Sequence, residues 1–189
     1  MSTVDATELR TGLKLLIDGQ PYTVIERQFI KPGKGAAFTR TKMKNLLTGR
    51  NIESNIRSGE KIELADIEEK AMSFLYKEGT DFVFMDQQSY EQINILGDLV
   101  SDDWRWLKDN MIVHVLFWNG RAIGVTLPNF VELRVTSSEP GVKGDTSGGA
   151  QKPATLETGA TINVPLFINE GDLLRIDTRS GEYCERVKG

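Results

Sequence analysis

This sequence predicts an all-β chain built of small barrels or sandwiches, and three observations carry that prediction. Side chains alternate with period two, as where Thr39, Thr41 and Met43 interleave with Phe38, Arg40, Lys42 and Lys44. That is the spacing of a strand with one face turned inward. Turn dipeptides recur at strand-length intervals: Asp18-Gly19, Pro32-Gly33, Thr48-Gly49, Ser58-Gly59, Glu78-Gly79, Asn119-Gly120 and Ser180-Gly181. Many short strands with regular turns pack as barrels or sandwiches. Finally, 189 residues at 39% apolar suffice for one to three small cores, and units of about sixty residues, marginal alone, are expected to pack together.

The elements follow in chain order. Met1 to Arg10 carries acids and no hydrophobic stretch, so no secretory signal is expected there. Lys31-Pro32-Gly33-Lys34-Gly35-Ala36 reads as a hairpin tip, with Pro32 fixing φ and glycines allowing tight bends. The strand Phe38 to Lys44 follows, with three bases on one face. A first boundary is expected near Leu64–Ala65. Helix is scarce: the clearest candidate is Ser101 to Asn110, capped by Ser101 or Asp102, with Trp104 and Leu107 turned inward. Asn119-Gly120 between Val113–Trp118 and Ala122–Thr126 is the strongest hairpin signal. A second boundary is expected near Pro128, and Pro140–Pro153, with four glycines, reads as a long loop in the last unit. The domains expected are therefore 1–64, 65–127 and 128–189.

Composition narrows the chemistry. A single cysteine, Cys184, excludes an internal disulfide and fits a reducing cytosol. One His and one Cys make a zinc site or a Cys–His nucleophile a poor expectation, and His114 in Val113-His114-Val115-Leu116 reads as a strand side chain. No apolar run reaches membrane-spanning length, so a cytoplasmic protein without membrane contact is expected. Glu68-Glu69 and Asp102-Asp103 are adjacent carboxylates, and sequence neighbours rarely face one another. Trp104, Trp106 and Trp118 lie in the acidic middle third and are assigned to packing rather than to base stacking.

Charge is the more informative signal. Residues 1–64 carry 11 Lys/Arg against 7 Asp/Glu, residues 65–127 carry 5 against 11, and residues 128–189 carry 7 against 9. Between Glu26 and Glu53 stand seven bases and no acid: Arg27, Lys31, Lys34, Arg40, Lys42, Lys44 and Arg50. A basic head on an acidic body suits an approach to a polyanion by one end. Gly33-Lys34-Gly35 fails the Walker pattern, which needs four residues between its glycines and Ser or Thr after the lysine. Two readings of the tip remain: a solvated hairpin lysine, or a lysine presented where flanking glycines remove bulk. A general OB-fold RNA-binding protein of the cold-shock kind would want aromatics on the basic face, yet the two occupy different thirds. An enzyme forming an imine at Lys34 would want an apolar pocket around it.

Taken together, these motifs resemble the bacterial elongation factor P family along essentially the whole chain. Lys31-Pro32-Gly33-Lys34-Gly35 is similar to the family's modified-lysine loop. Trp118-Asn119-Gly120, Pro128-Asn129-Phe130-Val131-Glu132-Leu133 and Pro140-Gly141-Val142-Lys143-Gly144-Asp145-Thr146 follow in the family's order. Lys152, Ala154, Gly159, Ile162, Val164, Pro165, Ile168 and Gly171 keep its C-terminal spacing, and Asp177-Thr178-Arg179-Ser180-Gly181-Glu182-Tyr183 closes the chain.

The resemblance implies three small β-barrel domains, SH3-like (KOW-like) first and OB-fold second and third, in an L-shaped, tRNA-like arrangement. It implies a translation factor, not an enzyme, that binds the 70S ribosome beside the P-site peptidyl-tRNA, between the P and E sites. There it would stimulate peptide-bond formation at consecutive prolines. Lys34 would carry a β-lysyl group added by a lysyl-tRNA-synthetase-like enzyme, on a loop formed by Lys31, Pro32, Gly33, Gly35 and Ala36. Arg40, Lys42 and Lys44 would support docking on RNA. Gly144, Asp145 and Thr146 would approach the E-site side of the decoding region, and Tyr183 and Arg186 the tRNA body. No metal or other cofactor is implied, and a monomer is expected.

Overall fold

Alternation along the chain does produce an all-β fold. The structure is a computed structural model that describes residues 2–140 and 149–188. Six strands form the first sheet: β1 (Thr3–Asp5), β2 (Lys14–Ile17), β3 (Gln20–Ile30), β4 (Phe38–Asn45), β5 (Asn51–Arg57) and β6 (Lys61–Leu64). Their order is β1-β6-β2-β3-β4-β5, which returns the end of the module to its start. The sheet curls around Ala6, Leu9, Leu15, Val24, Met43, Ile56 and Ile62. Burying each of the larger of these stabilises by roughly 1.5–3 kcal/mol. A 3-10 turn at Ala6–Glu8 plugs this core. It is held by a reciprocal cap in which Thr7 N–H donates to Asp5 Oδ1 (2.9 Å) and Asp5 N–H to Glu8 Oε2 (3.0 Å).

The second sheet takes β7 (Ile67–Glu78), β8 (Asp81–Asp86), β9 (Gln92–Ile95), β10 (Ile112–Trp118) and β11 (Arg121–Thr126) in the order β11-β10-β7-β8-β9. Phe74 is central to its core, with ring centroids 6.1 Å from Phe82 and 5.5 Å from Phe84. At the β10–β11 turn both Asn119 (φ 51°) and Gly120 (φ 74°) adopt the left-handed conformation of a two-residue type I′ hairpin, as the dipeptide predicts.

The helix expected over Ser101–Asn110 is corrected. A four-residue α1 (Gly97–Val100) is followed by a 3-10 segment at Ser101–Trp106, and no side chain caps either. Ser101 lies at φ 53°, which breaks the run between the two. The change of period changes which tryptophan faces inward. Trp106 and Leu107 are buried, at 1% and 5% exposure, while Trp104 is turned out at 45%.

The third sheet holds β12 (Phe130–Ser138), β13 (Gln151–Leu156), β14 (Thr161–Pro165), β15 (Leu173–Asp177) and β16 (Glu182–Val187), ordered β14-β13-β12-β15-β16. Its two outermost strands, β14 and β16, come back into contact, so the sheet curls towards a closed barrel. On β12, Val131, Leu133 and Val135 point inward and Phe130, Glu132 and Arg134 outward. The loop expected over Pro140–Pro153 ends earlier than predicted, because Gln151–Pro153 belong to β13. Lys152 is buried there, and its ammonium donates to the Glu139 carbonyl at 2.8 Å.

By contact the chain divides into two compact units: Met1–Glu69 with Leu116–Gly124, and Lys70–Val115 with Val125–Gly189. Within the second unit, the 3-10 segment of the middle sheet meets the last sheet. Thr158 Oγ1 donates to the Arg105 carbonyl at 2.5 Å, and Lys108 Nζ to the Glu132 carbonyl at 2.8 Å. The Trp106 indole lies under the Arg105 guanidinium, 4.7 Å from ring centroid to Cζ.

Candidate functional site

β3 and β4 pair antiparallel from Tyr22 opposite Asn45 to Ile30 opposite Phe38, and a seven-residue loop, Lys31 to Ala37, joins them. Lys34 stands at the exposed tip of that loop. Gly35 sits at φ 120°, a conformation open to glycine and strained for other residues, so the bend just after Lys34 depends on it. Pro32 is half-buried, and the Ser58 N–H donates to the Ala37 carbonyl at 3.0 Å, tying down the loop's base. Among the described residues no hydrogen bond or ion pair engages the Lys34 ammonium. The arrangement therefore extends a free cation from a fixed stem. Lys31, Gly33 and Ala36 are exposed beside it.

Arg40, Lys42 and Lys44 lie where alternation predicts, all exposed on one face of β4, with Thr39, Thr41 and Met43 buried on the other. The face is less basic than the linear sequence suggests. Register sets Glu26 and Glu53 on either side of Lys42, and Arg40 Nε pairs with Glu53 Oε1 at 3.4 Å. Those two acids are the ones that bracket the acid-free segment in the sequence. The charged side chains of Glu26, Arg40, Lys42 and Glu53, together with Gln28, line a shallow polar cleft of about 140 Å³. An exposed pair of this kind is worth about 0–1 kcal/mol, so a phosphate can displace it. Lys44, opposite Thr23 and Asn51, has no acid across from it.

Tyr183 and Arg186 are both on β16. Tyr183 is half-buried and, with Gln151, Asn163, Gly181 and Glu182, lines a polar cleft of about 320 Å³. Arg186 is ion-paired to Asp172 at 3.6 Å and lies over the exposed Phe167 ring at 5.7 Å. The turn before β16 is fixed by Arg179, whose Nε and Nη2 donate to the Asp177 carboxylate at 3.0 and 2.7 Å. That fork and the Arg179 N–H hold Asp177 down to a pKa of about 2. Gly144, Asp145 and Thr146 lie outside the described residues.

Sequence reading missed the exposed Phe130, over which Arg175 and Arg179 both stack, at 4.8 and 5.6 Å. Its outward position follows from the alternation of β12, so the signal was present; the arginines arrive from β15 and the turn after it, which only pairing reveals. Among the described residues no cluster of His, Cys, Asp or Glu is suited to hold a metal, and no helix is long and apolar enough to cross a membrane.

Residues 5–62 match the family model described as the elongation factor P (EF-P) KOW-like domain, residues 67–125 its OB domain, and residues 131–186 the elongation factor P C-terminal domain. The chain is 52% identical over 184 residues to elongation factor P of Coprothermobacter proteolyticus, covering 97% of this chain and 99% of that one. It is 54% identical over 182 residues to elongation factor P 2 of Geobacter sulfurreducens, covering 96% and 97%. Among solved structures, eukaryotic translation initiation factor 5A from Methanococcus jannaschii shares the fold, with a TM-score of 0.54 at 23% identity over 67% of this chain and 94% of that one.

Small barrels in series, the first KOW-like and the second an OB domain, together with these relatives, define a translation factor. The chain belongs to the elongation factor P family.

Proposed function

We propose that this chain binds the 70S ribosome beside the P-site peptidyl-tRNA, between the P and E sites, and stimulates peptide-bond formation where consecutive prolines stall synthesis. The observation that carries the reading is Lys34, exposed and unpaired among the described residues, on a loop that Gly35 bends and the β3–β4 stem holds. A lysine enclosed in an apolar pocket would suit imine chemistry; one at a solvated tip suits contact with a polyanion. The tip reaches the acceptor end of the tRNA and restricts its motion, which lowers the orientational cost of transfer without donating a catalytic group.

The tip is lengthened by a β-lysyl group that a lysyl-tRNA-synthetase-like enzyme attaches to Lys34, and the glycines on either side leave room for that enzyme. Lys44 and Lys42 contact RNA phosphates, with Arg40 contributing once Glu53 is displaced. Tyr183 and Arg186 face the tRNA body. The factor acts in the cytoplasm as a monomer of three domains, 1–64, 65–127 and 128–189.

The test is a reconstituted translation reaction on a template encoding consecutive prolines. Lys34→Ala is expected to lower the rate at least tenfold, about 1.4 kcal/mol of lost positioning, with thermal stability unchanged. A variant as active as the native factor overturns the assignment of the tip. Intact-mass and peptide analysis over residues 27–40 of native protein reads the modification itself.

A further inference from the structure

On the middle module, remote in sequence from Lys34, a cleft of about 740 Å³ opens between the β7–β8 turn and the α1 region. Its volume lies in the range of ligand sites. Three carboxylates line it, those of Asp81, Asp98 and Asp102, against one lysine, Lys77. Its apolar surface comes from Phe82, Leu96 and Trp104, of which Leu96 is 61% and Trp104 45% exposed. A large indole and a leucine left open to water beside each other are a surface that a partner can cover.

The cleft already holds a cation against its aromatic wall. Lys77 Nζ lies 5.1 Å from the Trp104 ring centroid and 5.4 Å from that of Phe82. Such contacts at an exposed site are worth about 0.5–1 kcal/mol, so an incoming guanidinium, flatter and less hydrated, can replace the ammonium. The walls are held in place as well. A Cβ at Gly97 would overlap the Thr80 carbonyl oxygen, so α1 is pressed onto the β7–β8 turn, and the Gly97 N–H donates to Asp81 Oδ1 at 3.3 Å.

The geometry points to this cleft as a docking site for a basic segment of another protein, one that carries arginine next to an apolar side chain. Charge selects the class: with three aspartates against one lysine, in a stretch of net charge −6 over residues 65–127, nucleic acid is repelled and a cationic chain attracted. The apolar wall selects within the class, because a simple polyamine has no branched apolar group with which to cover Leu96 and Trp104.

The experiment titrates the full chain with an acetylated, amidated Arg-Leu-Arg-Leu-Arg peptide, following backbone amide resonances and the Trp104 indole by NMR. The glutamate counterpart of the peptide and spermidine serve as comparisons. Saturable shifts centred on Gly97, Ser101 and Trp104 are expected with the arginine peptide, and none with the glutamate peptide. Affinity is expected to fall at least fivefold both in Trp104→Ala and in the double variant Asp98→Asn, Asp102→Asn. Any of the following overturns the proposal: no saturable shift in the cleft, an equal response to the acidic peptide, spermidine binding as tightly, or a double variant that binds like the native chain. No ribosome is present, so the outcome is independent of the polyproline assay.

Discussion

Replacing Gly97 with alanine is expected to destabilise the middle module by about 1–3 kcal/mol, the usual cost of forcing an extra methyl into a packed site. Gly97 is not among the residues at positive φ, so its backbone conformation suits alanine and the cost is spatial. The added Cβ would overlap the Thr80 carbonyl oxygen, lie 3.3 Å from that residue's carbonyl carbon and come within 3.7 Å of the Phe82 ring. Two of these three atoms are backbone of the β7–β8 turn, which cannot rotate out of the way as a flexible side chain can. Relief requires α1 to lift from the turn and disturb Phe82, which packs at 6.1 Å against Phe74 in the core.

Native-state hydrogen exchange at the Phe82, Phe84 and Ile95 amides reads this loss as local opening. An increase of about 5- to 150-fold in exchange rate corresponds to the stated range. Gly124→Ala is the control, since a Cβ there meets nothing within 4 Å and its φ is also not positive. If Gly97→Ala exchanges like Gly124→Ala, the close approach of α1 to the β7–β8 turn is wrong, and with it the wall of the proposed cleft.

The remaining expectations concern charge and packing. Lys42→Ala is expected to weaken ribosome association and to reduce the slope of log affinity against log salt by about one, so the difference from the native chain narrows as salt rises; a salt-independent loss would exclude a phosphate contact. Arg40→Ala should lose less, because Glu53 already engages that guanidinium. Asp177, held to a pKa of about 2 by Arg179, contributes stability that is present above the ordinary value of 3.8 and lost as pH falls through about 2. Carboxyl carbon NMR should place it there, and Arg179→Ala should return it towards 3.8. Trp106→Ala, at a side chain 1% exposed, should cost roughly 3–5 kcal/mol and raise exchange across both Phe84 and Leu133, because this indole lies where the middle and last sheets meet within one compact unit.

The positions of Lys34 and of the β4 side chains were legible in the sequence because they depend on local rules. Pro32, Gly33 and Gly35 specify a tight exposed turn, and a period of two fixes which face Arg40, Lys42 and Lys44 occupy. The Asn119-Gly120 turn was legible for the same reason. The tryptophans were not. An α-helical period assigns Trp104 to the core, whereas the 3-10 winding after Ser101 buries Trp106 in its place, and the choice between those windings rests on packing against the sheets.

Alternation, turn chemistry and the spacing of glycines were enough to specify strands, hairpins and a lysine held out at a loop tip, since each acts over a few neighbouring residues. What surrounds the bases behind that tip was decided only when β3, β4 and β5 paired. Glu26 and Glu53 are 16 residues before and 11 after Lys42 in the chain, yet cross-strand register makes them its immediate neighbours. Electrostatic energy depends on distance through space, so a segment that is purely basic along the chain becomes a mixed-charge face once folded.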